Sequence, residues 1–394
     1  MLDMDFDAHN REVKEVWDAY HAGKPIRVPV ILGLNPRYYL LSPWLNPKDI
    51  RFEDYYNDPY LMIETQLEFQ HYVRHNLLFD TEMGMPKESW PGVYVDFQNT
   101  YEASWFGCPV MFRENQVPDT EPILSDDNKR MLFDKGIPDP FKDGSMARNL
   151  NYYERMREKL KGYTFMGPST GLRTGLPVGG VSPTGLGTDG PFTAAANLRG
   201  ATEVCLDIYE DPAFVRELLD YITEATIVRI KAWRNKLGHE PRPACWGIAD
   251  DSIQLLSCET YRELVLPCHR RLFEELAGPG PHSIHLCGDA TRHFRMIRDE
   301  LNVMAFDTGF PVDFGRLRKQ LGPDVQINGG PSCQFLMQHT PEEIREEVGR
   351  ILSTGVMEGG KFVLREGNNV APGIPEANLN AMYYAAKEFG AYQS

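Results

Sequence analysis

Apolar and polar positions in the C-terminal 150 residues alternate in a way that reads as strand, helix, strand. Residues 244–249 form an apolar run that ends in Asp250-Asp251. Helical spacing follows over residues 259–276, and Pro267 is expected to kink that helix because it lacks an amide hydrogen. Residues 283–287 are the next short apolar stretch, with helical spacing behind it over residues 290–301. Residues 303–306 end at Asp307, residues 314–321 look helical, and residues 325–328 end in Gly329-Gly330. Thr340-Pro341-Glu342-Glu343 opens a helix with a side-chain cap, a proline in the first turn and acids at the positive end of the dipole. Residues 362–364 end at Glu366-Gly367-Asn368, and Pro375-Glu376 opens the last helix.

Five apolar strands separated by helices predict parallel βαβ units. Two closures are open, a (β/α)8 barrel or a doubly wound sheet. No Gly-x-Gly-x-x-Gly follows an early strand, which weakens the dinucleotide-binding sheet. Each strand ends in polar or glycine residues, and barrels gather their reactive groups at the C-terminal ends of strands. The N-terminal half is less regular. Residues 27–33 are a candidate first strand, residues 58–75 have helical spacing, and residues 93–97 alternate like a strand. Residues 110–160, rich in Asp, Asn, Pro and Lys, look like an insertion or lid. Residues 167–190 hold eight glycines and read as a long functional loop.

Composition narrows the classes. The chain has 394 residues, which suits one barrel with insertions, since barrels take about 250 residues or more. A formal charge of −15 argues against nucleic acid and against anionic membranes. No apolar run is long enough to span a bilayer. The acidic start, Met1-Leu2-Asp3-Met4-Asp5, lacks the basic and apolar character of a secretion signal. Seven scattered cysteines do not form a disulfide framework. A cytoplasmic protein with reduced thiols is expected.

The candidate chemistry centres on His285-Leu286-Cys287-Gly288. An imidazole and a thiol two residues apart point to the same side of a strand. Both are good zinc ligands, and together they make half of a tetrahedral site. A buried thiol beside a core histidine is the alternative.

In order along the chain stand Gly190-Pro191-Phe192-Thr193-Ala194-Ala195 with Leu198-Arg199-Gly200, then Asp207 with Glu210-Asp211-Pro212. Ile248-Ala249-Asp250-Asp251, Leu256-Ser257, Leu266-Pro267 and His285-x-Cys287-Gly288 follow. Gly329-Gly330-Pro331, Thr340-Pro341-Glu342-Glu343-Ile344, Ala371-Pro372, Pro375-Glu376 and Asn378-Leu379 complete the set. In this order and spacing the chain resembles the uroporphyrinogen decarboxylase superfamily, and within it the corrinoid-dependent methyltransferases. The resemblance implies a single (β/α)8 TIM barrel over residues 1–394, with an irregular N-terminal extension over 1–25 and an inserted lid-like segment over about 110–160. It also implies zinc, and a corrinoid supplied by a partner protein. The cobalamin-binding signature Asp-x-His-x-x-Gly is absent. The decarboxylase branch's Arg-Gln-Ala-Gly-Arg clamp is also absent: residues 23–29 read Gly-Lys-Pro-Ile-Arg-Val-Pro. Phe79-Asp80 is a candidate remnant of that branch's aspartate motif. Asn368 stands where the methyltransferase branch has a second cysteine.

The third zinc ligand must then come from elsewhere. Asp307, at the end of the neighbouring strand, is the first choice, Cys333 the second and Glu366 the third. Asp250 and Asp251 are candidates for general base or metal ligand, or for capping the next helix. Asn368 and Arg199 are the substrate-binding candidates. Tyr38, Tyr39, Trp44, Trp90, Tyr94, Tyr101, Trp105 and Phe106 either wall an apolar pocket or belong to the core. Cys108, Cys205, Cys245, Cys258 and Cys268 read as structural.

The leading expectation is a zinc-dependent methyltransferase acting between a small methylated compound and a corrinoid protein. An O-methyl compound is preferred over a carrier thiol because a set with one thiolate is harder. The alternatives are a metal-free carboxy-lyase using Arg27, Arg37, Arg173 and Arg199, and a non-catalytic tetrapyrrole-binding module. A homodimer is compatible with the sequence.

Overall fold

The computed structural model describes residues 2–167 and 175–392. Arg173, one of the arginines above, lies outside the described residues. The centre is a five-stranded sheet in which every pairing is parallel: β1 (Gly247–Ala249), β2 (His282–Leu286), β3 (Val303–Thr308), β4 (Gln326–Gly329) and β5 (Phe362–Leu364), in that spatial order. Consecutive strands are neighbours because a helix returns the chain to the same edge each time.

Main-chain hydrogen bonds extend this wall beyond both edges. Ile31 N donates to Leu364 O at 2.9 Å, and Asp80 N donates to Val30 O at 2.8 Å. On the far side Ala249 N donates to Thr188 O at 3.3 Å, and Val95 N to Ser182 O at 2.9 Å. The N-terminal strands are therefore only a few residues long, Val93–Tyr94 and Val181–Ser182 among them. The arrangement is that of an α/β barrel with one regular half and one irregular half.

The helices that frame this wall include α1 (Phe6–His21), α2 (Pro36–Leu40), α3 (Pro59–Asn76), α4 (Gly144–Leu160), α5 (Pro191–Arg199), α6 (Pro212–Leu237), α7 (Leu266–Leu276), α8 (Thr291–Leu301), α9 (Phe314–Leu321), α10 (Pro341–Ile351) and α11 (Glu376–Phe389). The expected kink appears as a π-turn over Tyr261–Val265, immediately before Pro267 enters the first turn of α7. Thr340 and Glu343 form the reciprocal cap that opens α10.

Two segments outside the wall carry structure of their own. Residues 1–25 contain α1, which is docked by Trp17 Nε1 donating to Asp80 O at 2.8 Å and by Asn10 bonding Met83 in both directions. Residues 110–160 contain a small hairpin and α4, whose Met146, Tyr152, Tyr153 and Met156 are buried. Asn149 also exchanges hydrogen bonds with Thr184. The helix is packed into the body, while most of residues 110–143 are exposed or half-buried.

The sheet's two faces have different chemistry, and this positions the site. Ile284, Leu286, Phe306 and Ile327 are fully buried beneath the helices. The alternate positions, Ser283, His285, Ala305, Asp307, Gln326 and Asn328, are only partly buried. One face thus carries a polar row at the height where the strands end.

Candidate metal centre

Register assembles the first part of the site. Ala249, His285, Asp307 and Asn328 are direct partners across β1 to β4. In a parallel sheet, partners at one height send their side chains the same way. Asp307 Oδ2 therefore meets His285 Nδ1 at 2.5 Å. This fixes the imidazole and turns Nε2 towards the Cys287 sulfur, 3.0 Å away. Beyond β2 the chain turns at Gly288, whose φ is +69°. A side chain there would also strike Gln254. A Cβ on Gly309 would run into the backbone of Cys287 and Gly288. These two glycines let the His-x-Cys tip fold close to the end of β3.

Asp251 comes from the turn after β1. Its Oδ1 accepts the Cys287 amide hydrogen at 2.7 Å and lies 3.9 Å from His285 Nε2. Ligand atoms of Asp251, His285 and Cys287 all lie within 4.8 Å of one another. A tetrahedral zinc with bonds of about 2.0–2.3 Å needs ligand atoms roughly 3.3–3.8 Å apart. Small side-chain rotations meet that requirement, so this donor set fits the ion. The His285 and Asp251 side chains stay 27% and 34% exposed, which leaves an approach for a further ligand.

Electrostatics favour a cation. Burial alone would push the His285 imidazolium down, but the hydrogen bond and charge of Asp307, with the charge of Asp251, outweigh it and hold its pKa above the ordinary value. Burial pushes the Cys287 thiol up, and the negative charges of Asp251 and Asp307 push it further. Two groups that hold protons tightly beside two carboxylates form a site short of positive charge.

Not every expected residue joins this group. Asp307 sits behind His285, hydrogen-bonded to its Nδ1 and also ion-paired with Arg365, which fixes the ring's orientation. Register thus sets Asp307 at Nδ1, on the other side of the ring from the Nε2 that faces Cys287, and this geometry does not favour the expected third-ligand role. Asp251, rather than Asp307, offers an oxygen within 4.8 Å of the donor atoms of His285 and Cys287. Asp250 is fully buried. It accepts from the Phe192 and Thr193 amides at 3.1 and 2.7 Å and from Thr193 Oγ1, and it lies 2.9 Å from His269 Nε2. It therefore holds the start of α5 and is not free to act as a base. Cys333 turns away, with its sulfur 3.3 Å from Gly367 O and 3.0 Å from Asn369 O. Burial raises its pKa to about 11. Glu366 is buried beside Arg365 and accepts from Gly33 N at 2.8 Å. Burial raises its pKa to about 7.

Asn368 adopts a left-handed φ of +83°, and its carbonyl accepts from Arg365 Nη2 at 2.9 Å. Arg199 lies at the other end of α5 from Asp250. It is ion-paired with Asp207 at 2.8 Å and with Asp126, so it is not placed to bind substrate here. Asp80 is held by Arg27 at 2.6 Å and by the Val30 amide.

Most of the named aromatics are core: Tyr38, Tyr39, Trp90, Trp105 and Phe106 are buried. Tyr94 is 38% exposed and lines a cavity of about 250 Å³ together with Leu32, Leu34, Phe69 and Phe79. Two residues were missed. Arg365 braces Asp307, and the only signal for it was its place next to Glu366 at a strand end. Asp189 lies in the glycine-rich loop; burial and then the charges of Glu102 and Asp251 raise its pKa well above the usual carboxylate range.

Residues 92–389, about three quarters of the chain, match the family described as Uroporphyrinogen decarboxylase (URO-D). The chain belongs to the uroporphyrinogen decarboxylase family. Among curated proteins it is similar to a methylated-thiol–coenzyme M methyltransferase of Methanosarcina mazei, with 30% identity over 202 residues. That match covers 50% of this chain and 51% of the relative, so the chain spans about half the length of the curated relative it matches. Among solved structures it is similar to a methyltransferase from Methanosarcina mazei, with a TM-score of 0.65 and 19% identity over 96% of this chain and 98% of that one. This likeness shows a shared fold over nearly the full length of both chains.

Proposed function

We propose that this chain is a zinc-dependent methyltransferase that moves a methyl group between a small methylated compound and a corrinoid carried by a partner protein. The observation that carries the reading is the convergence of Asp251, His285 and Cys287, with Asp307 on the far nitrogen of His285. Three protein ligands with one open position is the pattern of catalytic zinc. Bound there, zinc would act as a Lewis acid on the heteroatom that gives up or receives the methyl group. The protein's own part is orientation: Asp307 sets the imidazole, and the Cys287 amide holds Asp251. The name of the Methanosarcina mazei relative supports methyl transfer.

One thiolate with two harder donors favours an O-methyl compound, because less charge reaches the metal and it stays more electrophilic. A methylated thiol is the second reading, favoured by the relative's printed name. For the partner, the loops after β1 and β3 expose Leu255 and Phe310 at the same end as the site. Exposed apolar residues beside an open site suit a docking protein. Of the arginines a metal-free lyase would use, Arg27 and Arg199 are already neutralised by carboxylates, which leaves Arg37 as its candidate among the described residues. No described helix is long and apolar enough to cross a membrane.

The test uses zinc-loaded protein, free cob(I)alamin and a panel of methoxylated and methylthio compounds. Formation of methylcobalamin, lost in both His285→Ala and Asp251→Ala, is expected. Equal transfer by chelator-stripped protein contradicts the reading.

A further inference from the structure

Asp251 stands on no strand. It opens a short 3-10 turn, Asp251–Leu255, directly after β1. Its carboxylate nonetheless lies within 4.8 Å of the donor atoms of His285 and Cys287. What holds the turn is found on either side of it. Asp250 is fully buried, and each of its oxygens meets two donors. Oδ1 accepts from the Thr193 amide at 2.7 Å and from the Thr193 hydroxyl at 2.8 Å. Oδ2 accepts from the Phe192 amide at 3.1 Å and lies 2.9 Å from Nε2 of His269, which is equally buried. Tyr261, on the π-turn before α7, places its hydroxyl 3.1 Å from His269 Nδ1. Four donors fill the lone pairs of a carboxylate, so Asp250 is an anchor.

Thr193 does more than donate to that anchor. Its hydroxyl oxygen also accepts the Ser252 amide hydrogen at 2.9 Å. One atom is thus bonded to the residue before Asp251 and to the residue after it. The approach is close because Gly190 precedes α5 with a φ of +93°, and a Cβ there would stand 2.3 Å from Ala249 O and 2.4 Å from Asp250 Cβ. A hydroxyl can donate on one side and accept on the other, whereas valine has nearly the same shape and can do neither. A turn bridged in this way has its backbone ordered before any ion arrives, so binding spends less entropy on ordering it.

We infer that Thr193 is a positioning residue for Asp251: seated on Asp250, its hydroxyl bridges the turn and keeps the Asp251 carboxylate in reach of His285 and Cys287. The inference rests on the proposed zinc site and adds how its carboxylate donor is held.

Zinc affinity is measured by chelator competition in wild type, Thr193→Val and Thr193→Ser. Thr193→Val is expected to bind zinc about tenfold more weakly, the lower end of what a partner behind a metal ligand is worth, and Thr193→Ser to stay within about twofold of wild type. A general loosening of the fold would act whether or not Asp251 is present. In an Asp251→Ala background, which leaves His285 and Cys287 to hold the ion, Thr193→Val is therefore expected to change the remaining affinity by less than about twofold. Wild-type affinity in Thr193→Val, or the full loss repeated in the Asp251→Ala background, overturns the inference.

A second arm needs no zinc. Asp251 Oδ1 accepts the Cys287 amide hydrogen at 2.7 Å, so hydrogen exchange at that amide reports on the carboxylate's position. Metal-free protein labelled with 15N-cysteine is used, and the Cys287 signal is the one missing from Cys287→Ser. The reference is the amide of Cys205, within the helix Ala201–Glu210. Relative to it, Thr193→Val is expected to speed exchange at Cys287 by about tenfold, and Thr193→Ser to leave it near wild type. Where Thr193→Val does not fold, Thr193→Ala takes its place in both arms. If wild type binds no zinc, the functional reading fails alone, and this arm still decides the role of Thr193. Unchanged exchange at Cys287 in Thr193→Val, or equal acceleration in Thr193→Ser, overturns it.

Discussion

Replacing Asp307 with asparagine separates a metal ligand from a residue that orients one. In the structure Asp307 Oδ2 is 2.5 Å from His285 Nδ1, and the same oxygen pairs with Arg365. Asparagine keeps the shape and a hydrogen-bonding oxygen but removes the charge. Losing a charged partner behind a metal-bound histidine costs about 10–100-fold in affinity, roughly 1.4–2.7 kcal/mol. Asp307→Asn is therefore expected to bind zinc stoichiometrically but 10–100-fold more weakly by that principle. Asp251→Asn changes a donor atom itself and is expected to lose stoichiometric zinc.

The pH dependence adds a second sign. Asp307 helps to hold the His285 pKa above its ordinary value, so in wild type protons compete harder for the imidazole. Asparagine relaxes that competition. The deficit of Asp307→Asn should then be larger at about pH 8 than at about pH 6. A competition titration against a chromophoric chelator at both pH values measures it. Loss of stoichiometric zinc in Asp307→Asn with full retention in Asp251→Asn would refute the assignment and restore Asp307 as the ligand.

Further outcomes follow from the same geometry. Burial and the nearby carboxylates raise the Cys287 pKa, so zinc binding at about pH 7.5 should release close to one proton from wild type; calorimetry in buffers of different ionisation enthalpy reads it, and Cys287→Ser should lack that release. Burial raises the Glu366 pKa from its ordinary 4.5 to about 7, so the folded state binds the proton more tightly than the unfolded chain, and the stability it contributes is present below pH 4.5 and lost as pH rises through 7. The loss amounts to about 3 kcal/mol, so urea unfolding at pH 5 and pH 8 should show a difference that Glu366→Gln largely removes; an unchanged difference contradicts the assignment. Glu102 anchors fully buried Arg229 at 2.7 Å and accepts from Thr188 Oγ1 and the Asp189 amide. Glu102→Ala should cost about 3–5 kcal/mol in denaturant unfolding, because it strands a buried charge; a change below about 1 kcal/mol would show that the pair is not holding the loop.

The C-terminal half was legible because its strands and helices carry their own patterns. His285 and Cys287 were legible as a pair because an i, i+2 spacing on a strand needs no tertiary knowledge. The choice between Asp251 and Asp307 was not legible. It depends on register, which sets Asp307 beside His285 and leaves the turn after β1 to bring Asp251 across to Cys287. The role of Asp250 was hidden for a related reason: its partners, the amides at the start of α5, lie almost 60 residues earlier in the chain. The N-terminal strands were hard to see because Val93–Tyr94 and Val181–Ser182 are each two residues long, too short to establish an alternation.

The central claim is that Asp251, His285 and Cys287 together hold one zinc ion. X-ray absorption at the zinc edge of the reconstituted protein tests it most directly. The account predicts one sulfur at about 2.3 Å with the remaining ligands nitrogen or oxygen at about 2.0–2.2 Å, and loss of the sulfur shell in Cys287→Ser. Two sulfurs in the shell, or a single sulfur that persists in Cys287→Ser, would contradict it.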